Sequence, residues 1–356
     1  LILVLLFPNL AYSFPADFDG DGKNDFVVWR QPEAVWYVWP SRYSVSHSCP
    51  PHFQQIGGPG VYLGCKAQWG LPGDKVLSGN YDNDALADLV IWRPSTQTWW
   101  IKFSSYDGVV SVPMGLVGDV PDEFNVDILN SVSELMLYRP STPSTDGRWF
   151  IRSSIPPYTI RNWTAMRRIV SPASLIEPSF TNSATFDYHP ASGLPAGPAF
   201  FSNCTYRSTS CGYWFTLYFV SALVANYNEH AIYPEYPTLT SFIPVGGNYG
   251  GVIQNRADYA LWDTSNGNWL IDISGDNGQP PFTTTQWGLP GDTPLVGDYD
   301  GDGIADLTVW RGASAGGWEG TWFLRPSSRY CPAYMTPLSG GGCYKQWGLY
   351  GDIPIS

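Results

Sequence analysis

Three short stretches of the sequence carry an acid or an amide at every second position. Each follows the pattern D/N-x-D-x-D-x-x-x-D, and the residues concerned are Asp17, Asp19, Asp21 and Asp25, then Asn80, Asp82, Asp84 and Asp88, then Asp298, Asp300, Asp302 and Asp306. Alternating carboxylates in a tight loop point inward together, and without a cation they would repel one another. A hard cation such as Ca²⁺ takes about six to eight oxygen ligands. The pattern therefore predicts three calcium sites, and polar turns without a metal are the alternative, favoured most in the stretch that begins at Asn80.

The remaining positions of the stretches fit a calcium loop but not an EF-hand. The seventh position can offer a backbone carbonyl ligand and holds Lys23, Leu86 and Ile304. Gly22 and Gly303 permit a sharp turn at the sixth position, where the second stretch has Ala85. An EF-hand needs Glu at position twelve and flanking helices, whereas position twelve is apolar in all three stretches. Three Ca²⁺ ions would offset half of the formal net charge of −12.

The acidic stretches belong to a longer repeat. Residues 68–93, QWGLPGDKVLSGNYDNDALADLVIWR, align with residues 286–311, QWGLPGDTPLVGDYDGDGIADLTVWR, without a gap. Weaker copies lie at 17–30, 115–140 and 248–263, and the faintest is at 185–190. The aromatic residue near the end of the apolar run falls at Trp29, Trp92, Tyr138, Tyr188, Trp262 and Trp310. We therefore expect six units, or seven if the longest gap holds a decayed one, and no calcium in the third to fifth units.

Composition and turn signals indicate an all-β fold. Aromatic residues make up 16% of the chain, and 37 Gly and 31 Pro supply turns between short apolar runs. Units of this length match the four-stranded blade of a β-propeller. The C-terminal tail ends four positions after Asp352, so that joining it to residue 16 restores the spacing of a full unit. The sequence predicts a single propeller over residues 16–356, closed by the C-terminal tail in the first blade.

The whole unit resembles a known repeat family. The DxDxDGxxD loop, preceded by Gly-Asp and followed by Asp-Leu-x-Val-Trp-Arg, is similar to the FG-GAP/VCBS repeats of bacterial extracellular proteins and to the integrin α-chain propeller. The resemblance covers residues 16–356, although the motif is sharp in only three units. It implies that calcium has a structural role, tying a loop between adjacent strands of a blade.

Cysteine spacing and the N-terminus indicate an oxidising compartment. Six cysteines fall into three local pairs, which we expect to be disulfides among the fifteen possible connectivities: Cys49–Cys65, Cys204–Cys211 and Cys331–Cys343. The apolar residues 1–13 resemble a secretory signal, too short to span a bilayer. A first strand or an interaction arm formed by residues 1–15 is the alternative. We predict a secreted or cell-surface protein without a transmembrane span.

Catalytic patterns are scarce. The four histidines show no paired metal spacing, and Ser314 in a G-x-S-x-G match lies in an expected hairpin turn rather than between a strand and a helix. The recurring tryptophans are interpreted as core packing between blades. Aromatic residues outside the repeat frame are freer to stack on a sugar or contact a protein: Trp39, Trp318, Tyr330 and Tyr334. The acidic chain is a poor candidate for binding nucleic acid.

Three functions are compatible with these features. The first is a non-enzymatic binding or adhesion module that recognises an extracellular glycan or protein through its faces and inserted loops, where binding specificity tends to lie. The second is a self-assembling surface or filament protein that uses residues 1–15 as an arm. The third is a carbohydrate-active enzyme on a propeller scaffold. Fold class alone does not choose between them.

Overall fold

A computed structural model describes most of the predicted propeller region. The described residues are 16–42, 49–57, 63–84, 86–124, 132–139, 148–152, 160–164, 187–188, 197–206, 209–221, 224–232, 242–250, 258–272, 282–313 and 319–356. The predicted arm 1–15, Ala85, Ser314 and Trp318 lie outside them. Every regular element within these ranges is a β-strand, which confirms the all-β class. Over the same ranges there is no helix that could cross a membrane.

The strands form six antiparallel sheets. Sheets one to three comprise β1 (Phe26–Arg30), β2 (Val35–Trp39), β3 (Gln54–Gln55) and β4 (Cys65–Gln68); β5 (Lys75–Gly79), β6 (Asp88–Arg93), β7 (Thr98–Lys102) and β8 (Val109–Pro113); β9 (Val120–Phe124), β10 (Glu134–Arg139), β11 (Arg148–Arg152) and β12 (Ile160–Thr164). Sheets four to six comprise β13 (Asp187–Tyr188), β14 (Gly197–Tyr206), β15 (Thr209–Ser221) and β16 (Val224–Ile232); β17 (Phe242–Pro244), β18 (Tyr259–Asp263), β19 (Asn268–Asp272) and β20 (Thr283–Gln286); β21 (Thr293–Leu295), β22 (Leu307–Arg311), β23 (Thr321–Arg325), β24 (Thr336–Pro337) and β25 (Cys343–Gln346). The last strand, β26 (Ile353–Ile355), joins sheet one beside β1. Strands are numbered across each sheet, so that β26, β1, β2 and β4 are strands one to four of sheet one, and β21, β22, β23 and β25 are those of sheet six.

Sheets one, two, three, five and six repeat one frame of four strands. An aromatic residue of strand two lies opposite an aromatic residue of strand three in each, and the pairs are Trp29 with Trp36, Trp92 with Trp99, Tyr138 with Trp149, Trp262 with Trp269, and Trp310 with Trp322. Cross-strand aromatic pairs of this kind stabilise a sheet. Wherever its burial is described, each of these rings is buried, so the core role predicted for the recurring tryptophans is confirmed.

The fourth sheet departs from the predicted frame. Tyr188 was expected at the aromatic position of strand two, but it lies in β13, which is strand one of this sheet. Strand two is β14, where Phe201 lies opposite Trp214 of β15. The copy at 185–190 is too degenerate to fix the strand by sequence, and the register places two adjacent aromatic pairs across this hairpin, Phe200 with Phe215 and Phe201 with Trp214.

Neighbouring sheets pack face to face, as the blades of a β-propeller do. Val27 and Trp29 of strand β1 pack with Leu89 of sheet two, whereas Phe26 and Val28 pack with Trp322 of sheet six. Equivalent buried clusters join sheet two to sheet three and sheet five to sheet six. Strand two is buried on both faces, because successive side chains point to opposite sides. That explains why it reads as a continuous apolar run.

The C-terminal strand completes sheet one. Ile353 of β26 lies opposite Trp29 in β1, which is the register in which Lys75 lies opposite Trp92 in sheet two. The predicted pairing of the tail with the first unit is therefore present. None of the described buried clusters includes a residue of the fourth sheet, so closure of a complete ring and the number of blades stay predictions.

An arginine–aspartate pair fixes four of the connections between sheets. Each Asp comes from the Gly-Asp step before strand one, and each Arg ends strand two: Asp352 with Arg30, Asp74 with Arg93, Asp119 with Arg139, and Asp292 with Arg311. The guanidinium binds through two N–H groups and also lies over an aromatic ring of strand three. Both residue types recur in the sequence, yet only the structure shows that they meet.

Two of the three predicted disulfides are confirmed. Cys49–Cys65 and Cys331–Cys343 each pin the segment between strands three and four of their sheets. Cys204 and Cys211 lie directly opposite each other across the β14–β15 hairpin, so the backbone register suits the third pair. Disulfides accord with an extracellular protein.

Candidate metal centres

Each of the three acidic stretches lies directly before strand two, at one end of its sheet. In sheets two and six the stretch also connects strand one to strand two, whereas in sheet one strand one is the C-terminal β26. We call residues 17–25 loop 1, residues 80–88 loop 2 and residues 298–306 loop 3. They belong to sheets one, two and six, which pack in the order six, one, two. The three loops therefore occupy neighbouring blades.

In loop 1 the carboxylates are brought together around the first acid. One carboxylate oxygen each from Asp17, Asp19 and Asp21 lies within 4.8 Å of the other two. Asp17 accepts N–H bonds from Gly20 at 2.7 Å and Gly22 at 2.9 Å, and it is 3% exposed. These bonds fold the loop back over the acid, so that its middle part reaches solvent while its base is buried.

Loop 3 repeats this arrangement. Oxygens of Asp298, Asp300 and Asp306 lie within 4.8 Å of one another. Asp298 accepts N–H bonds from Gly301 and Gly303, at the positions equivalent to the glycines of loop 1. The last acid, Asp306, is fully buried and accepts the N–H of Tyr299 at 2.7 Å.

Loop 2 uses an amide at the first position. The Asn80 side-chain oxygen accepts the N–H groups of Asn83 at 2.7 Å and Asp84 at 3.3 Å, as Asp17 does in loop 1. Oδ1 of Asp82 is buried and accepts no hydrogen bond. The Ser105 hydroxyl and the backbone N–H of Asp84 stabilise this carboxylate, whereas burial and the negative charge of Asp84 oppose its ionisation. A cation here would stabilise the buried group.

A left-handed residue at the fourth position shapes all three loops. Gly20 and Gly301 have φ of 72° and 84°, and Asn83 has φ of 67°. Glycine and asparagine are the residues that adopt this conformation most readily. The sequence analysis predicts a sharp turn only at the sixth position, where Gly22 and Gly303 are also left-handed. It misses the fourth position, although all three loops have Gly or Asn there.

A serine after strand three holds each loop, and sequence reasoning missed it. Ser41, Ser104 and Ser327 donate their backbone N–H to the last acid of the loop, at 2.6, 2.7 and 2.8 Å. Their hydroxyls donate to the third acidic position, Asp21, Asp84 and Asp302, at 2.7, 2.8 and 2.8 Å. The following residue binds the second acidic position in each loop. A repeated Ser-Ser or Ser-Arg after an aromatic strand was the available signal.

Burial raises the pKa of the loop acids. Desolvation is the largest cause in each case, and neighbouring carboxylates add to it, while backbone N–H donors oppose it. The pKa rises to about 7 for Asp17, about 7 for Asp88, about 6 for Asp298 and about 8 for Asp306. The pKa of Asp19, Asp25 and Asp82 is raised as well. A bound divalent cation would favour the ionised form of all of them.

The donor set of the loops fits a hard cation. Its side-chain ligand atoms are carboxylate and amide oxygens, which suit Ca²⁺ or Mg²⁺ rather than a soft metal. The seventh residues, Lys23, Leu86 and Ile304, donate N–H bonds to the acid two positions before them, and a carbonyl ligand from them stays a prediction.

The other predicted site residues fall into different places. Tyr334 is a core residue, because its hydroxyl donates to the Tyr299 carbonyl at 2.9 Å and its ring packs on Phe26. Trp39 is partly buried under Lys345, whose Nζ lies 3.3 Å from the ring centroid. Tyr330 is 80% exposed beside loop 3 and remains available for binding.

A row of exposed leucines occupies the opposite end of the sheets. They hold one position of the turn that precedes strand one, are between 42% and 54% exposed, and are Leu71, Leu116, Leu289 and Leu349. The neighbouring Val117 and Tyr350 are also exposed, at 81% and 64%. The two ends of the sheets thus differ in chemistry, since one presents acids and the other presents apolar side chains.

No protein-family model matches the chain, and a search of curated proteins finds no significant match.

Proposed function

We propose that this protein is a secreted, calcium-stabilised β-propeller of the FG-GAP/VCBS type, with six blades, that acts as a non-enzymatic binding module. The carrying observation is the convergence of carboxylate oxygens in loops 1 and 3, where three acids in each loop approach within 4.8 Å. The unsatisfied buried oxygen of Asp82 supports a third cation in loop 2.

The six-bladed closed ring rests on the sheet pairings. The described residues form six sheets, and β26 pairs with β1 although the two are at opposite ends of the chain. Buried clusters connect five of the sheets in the order five, six, one, two, three. The fourth sheet lies between the third and the fifth along the chain and would complete the ring.

A binding role is favoured by what the scaffold displays. Disulfides fix two inserted segments between strands three and four, and rigid scaffolds with variable inserted loops are where specificity is usually built. The exposed leucine row and Tyr330 give the two ends of the sheets groups that can contact a protein or stack on a sugar. We therefore expect the partner to be an extracellular protein or glycan.

Metal analysis and thermal melting test the calcium proposal. After removal of metals with a chelator, Ca²⁺ should restore about three ions per chain and raise the melting temperature, since an ion that binds only the folded state adds about 2.7 kcal/mol at a hundred times its dissociation constant. Asp302→Asn should lose one of these ions. Asp107→Asn is the matched control, because it removes one charge from a side chain that is 89% exposed and outside the loops.

The opposite result would exclude calcium binding. If the protein takes up no calcium and its melting temperature is the same in chelator and in Ca²⁺, the acidic loops are polar turns. Glycan-array or pull-down binding that is lost on Tyr330→Ala, with melting unchanged, would support the binding role.

A further inference from the structure

The three acidic loops touch one another through their backbones. Positions are counted from the first residue of each loop, and the loops are taken in the order 3, 1, 2 in which their sheets pack. In each contact the residue at position eight of one loop donates its N–H to the backbone carbonyl at position one of the loop before it in this order. Asn24 donates to Asp298 at 2.8 Å, and Ala87 donates to Asp17 at 2.7 Å. The same bond continues on either side, from Ala305 to Asn248 and from Ser133 to Asn80. We call this series of contacts the loop belt.

The loop belt joins residues at both ends of the ligand sets. The accepting residue is the first ligand of its loop, and the donor directly precedes the last acid of the next loop, as Asn24 precedes Asp25 and Ala87 precedes Asp88. A loop that is ordered by a cation therefore fixes the backbone next to the last ligand of its neighbour.

Side-chain packing reinforces the same contacts. The side chain at position seven of one loop lies over the glycine at position four of the preceding loop. A Cβ on Gly20 would approach Leu86 Cδ2 to 2.6 Å, and one on Gly301 would approach Cε of Lys23 to 2.6 Å. A side chain at either glycine would displace Leu86 or Lys23, so the two loops of each contact are packed directly against each other.

The contact between loops 3 and 1 is the stronger of the two between acidic loops. In addition to the shared N–H bond, the N–H of Asp298 donates to Oδ1 of the Asn24 side chain at 3.0 Å. Asn24 is fully buried. Loop 2 has Ala87 at this position, so its contact with loop 1 lacks the second bond.

We propose that calcium binding is positively coupled along the loop belt, so that an occupied loop raises the calcium affinity of the loop next to it. This inference rests on the proposed calcium-binding function. Ordering one loop removes conformational freedom that its neighbour would otherwise lose on binding, and the second ion then binds more tightly. Couplings of this kind are typically about 5- to 150-fold. With two bonds in the contact, we expect about tenfold between loops 3 and 1, and about threefold between loops 1 and 2.

Calorimetric calcium titrations of site-deleted variants measure the coupling. Asp84→Asn removes the loop 2 site and leaves loops 1 and 3. Adding Asp302→Asn leaves loop 1 alone, and adding Asp21→Asn instead leaves loop 3 alone. The product of the two association constants in the two-site protein, divided by the product of the single-site values, gives the coupling factor. We expect about ten.

Asn24→Ala tests whether the belt carries this factor. The substitution leaves every proposed ligand in place and gives the contact the form seen at Ala87, so the factor should fall to about three. A factor of one or below in the two-site protein, with calcium still bound at each loop, would overturn the inference and leave the proposed function intact. Absence of calcium uptake would refute the proposed function, and the inference with it.

Hydrogen exchange gives a second test that does not depend on Asn24→Ala folding well. In the Asp21→Asn protein, loop 1 cannot use its full ligand set, so slower exchange there reports its neighbours. Calcium should slow exchange in a peptide covering residues 17–25 severalfold, and the effect should shrink when Asp302→Asn is added. Unchanged exchange in that peptide, with loop 3 loaded, would contradict the coupling.

Discussion

Replacing Arg30 by Met should lower the free energy of unfolding as much as replacing its counterpart Arg93 by Met. Arg30 Nε and Nη2 donate to the two oxygens of Asp352 at 2.8 and 2.9 Å, and these partners are 322 residues apart in the chain. The Asp352 side chain is 0% exposed and that of Arg30 is 18% exposed. If β26 is docked on β1 in solution, Arg30→Met leaves a buried carboxylate with one remaining donor, the N–H of Leu349.

The magnitude follows from burial of the unpaired charge. Breaking a fully buried ion pair by removing one partner costs about 3–5 kcal/mol. Because water reaches the guanidinium side of this pair, we expect about 2–3 kcal/mol for Arg30→Met. Arg93→Met removes the same pair in the middle of the chain, where Asp74 is 3% and Arg93 is 19% exposed in their side chains. The two variants should therefore agree within about 1 kcal/mol.

Urea unfolding in saturating calcium, followed by tryptophan fluorescence, measures both variants. A double-mutant cycle with Asp352→Asn should return a coupling of about 2 kcal/mol, since the two residues contact each other directly. Suppose instead that Arg30→Met changes stability by less than about 0.5 kcal/mol while Arg93→Met costs about 2 kcal/mol. The C-terminal strand would then be undocked in solution, and the reasoning that closes the ring through the tail would be wrong.

Two further predictions concern the acidic loops. The calcium-free protein should lose stability as the pH rises from 5 to 8. The reason is that acids such as Asp306 and Asp17, with folded pKa values raised to about 8 and about 7, hold protons that the unfolded chain has already released. The gain in melting temperature on adding calcium should therefore be larger at pH 8 than at pH 5, and an equal gain at both would contradict the burial of these acids. Ser104→Ala should lower the free energy of unfolding in urea by about 1 kcal/mol and weaken calcium binding at loop 2, because the Ser104 hydroxyl donates to Asp84 at 2.8 Å. Ser95→Ala, at an exposed turn residue, is the control. An equal effect of Ser95→Ala would show that Ser104 has no special role.

The fold was predictable where the repeat is strong. Strand two of sheets two and six follows from Asp-Leu-x-Val/Ile-Trp-Arg, and the placement of the tail in the first unit follows from counting positions from Asp352 to the first loop. The fourth sheet was not predictable in the same way, since Tyr188 matched only by its place in the series. Long strands such as β15, with 13 residues, also fall outside the short-strand frame of the repeat.

The candidate site was predictable as a set of residues but not as an assembly. Spacing alone identified the carboxylates of loops 1 and 3, because consecutive alternate acids need no tertiary contact to be recognised. Ser41 and Asn24 could not be assigned in that way. Ser41 comes from another connection of the same sheet, and Asn24 acts on Asp298, 274 residues away. Such contacts depend on which strands become neighbours, which a local pattern does not specify.

The contact between Ala305 and Asn248 shows that the backbone bond between loops forms even where one loop lacks the acids. It keeps the backbone bond of the loop belt, although Gly250 follows Asn248 where the acidic loops have their second acid. The backbone contact between neighbouring sheets therefore does not require acids in both of the loops that make it. Acids could then be lost from one loop, or gained in another, without removal of this contact.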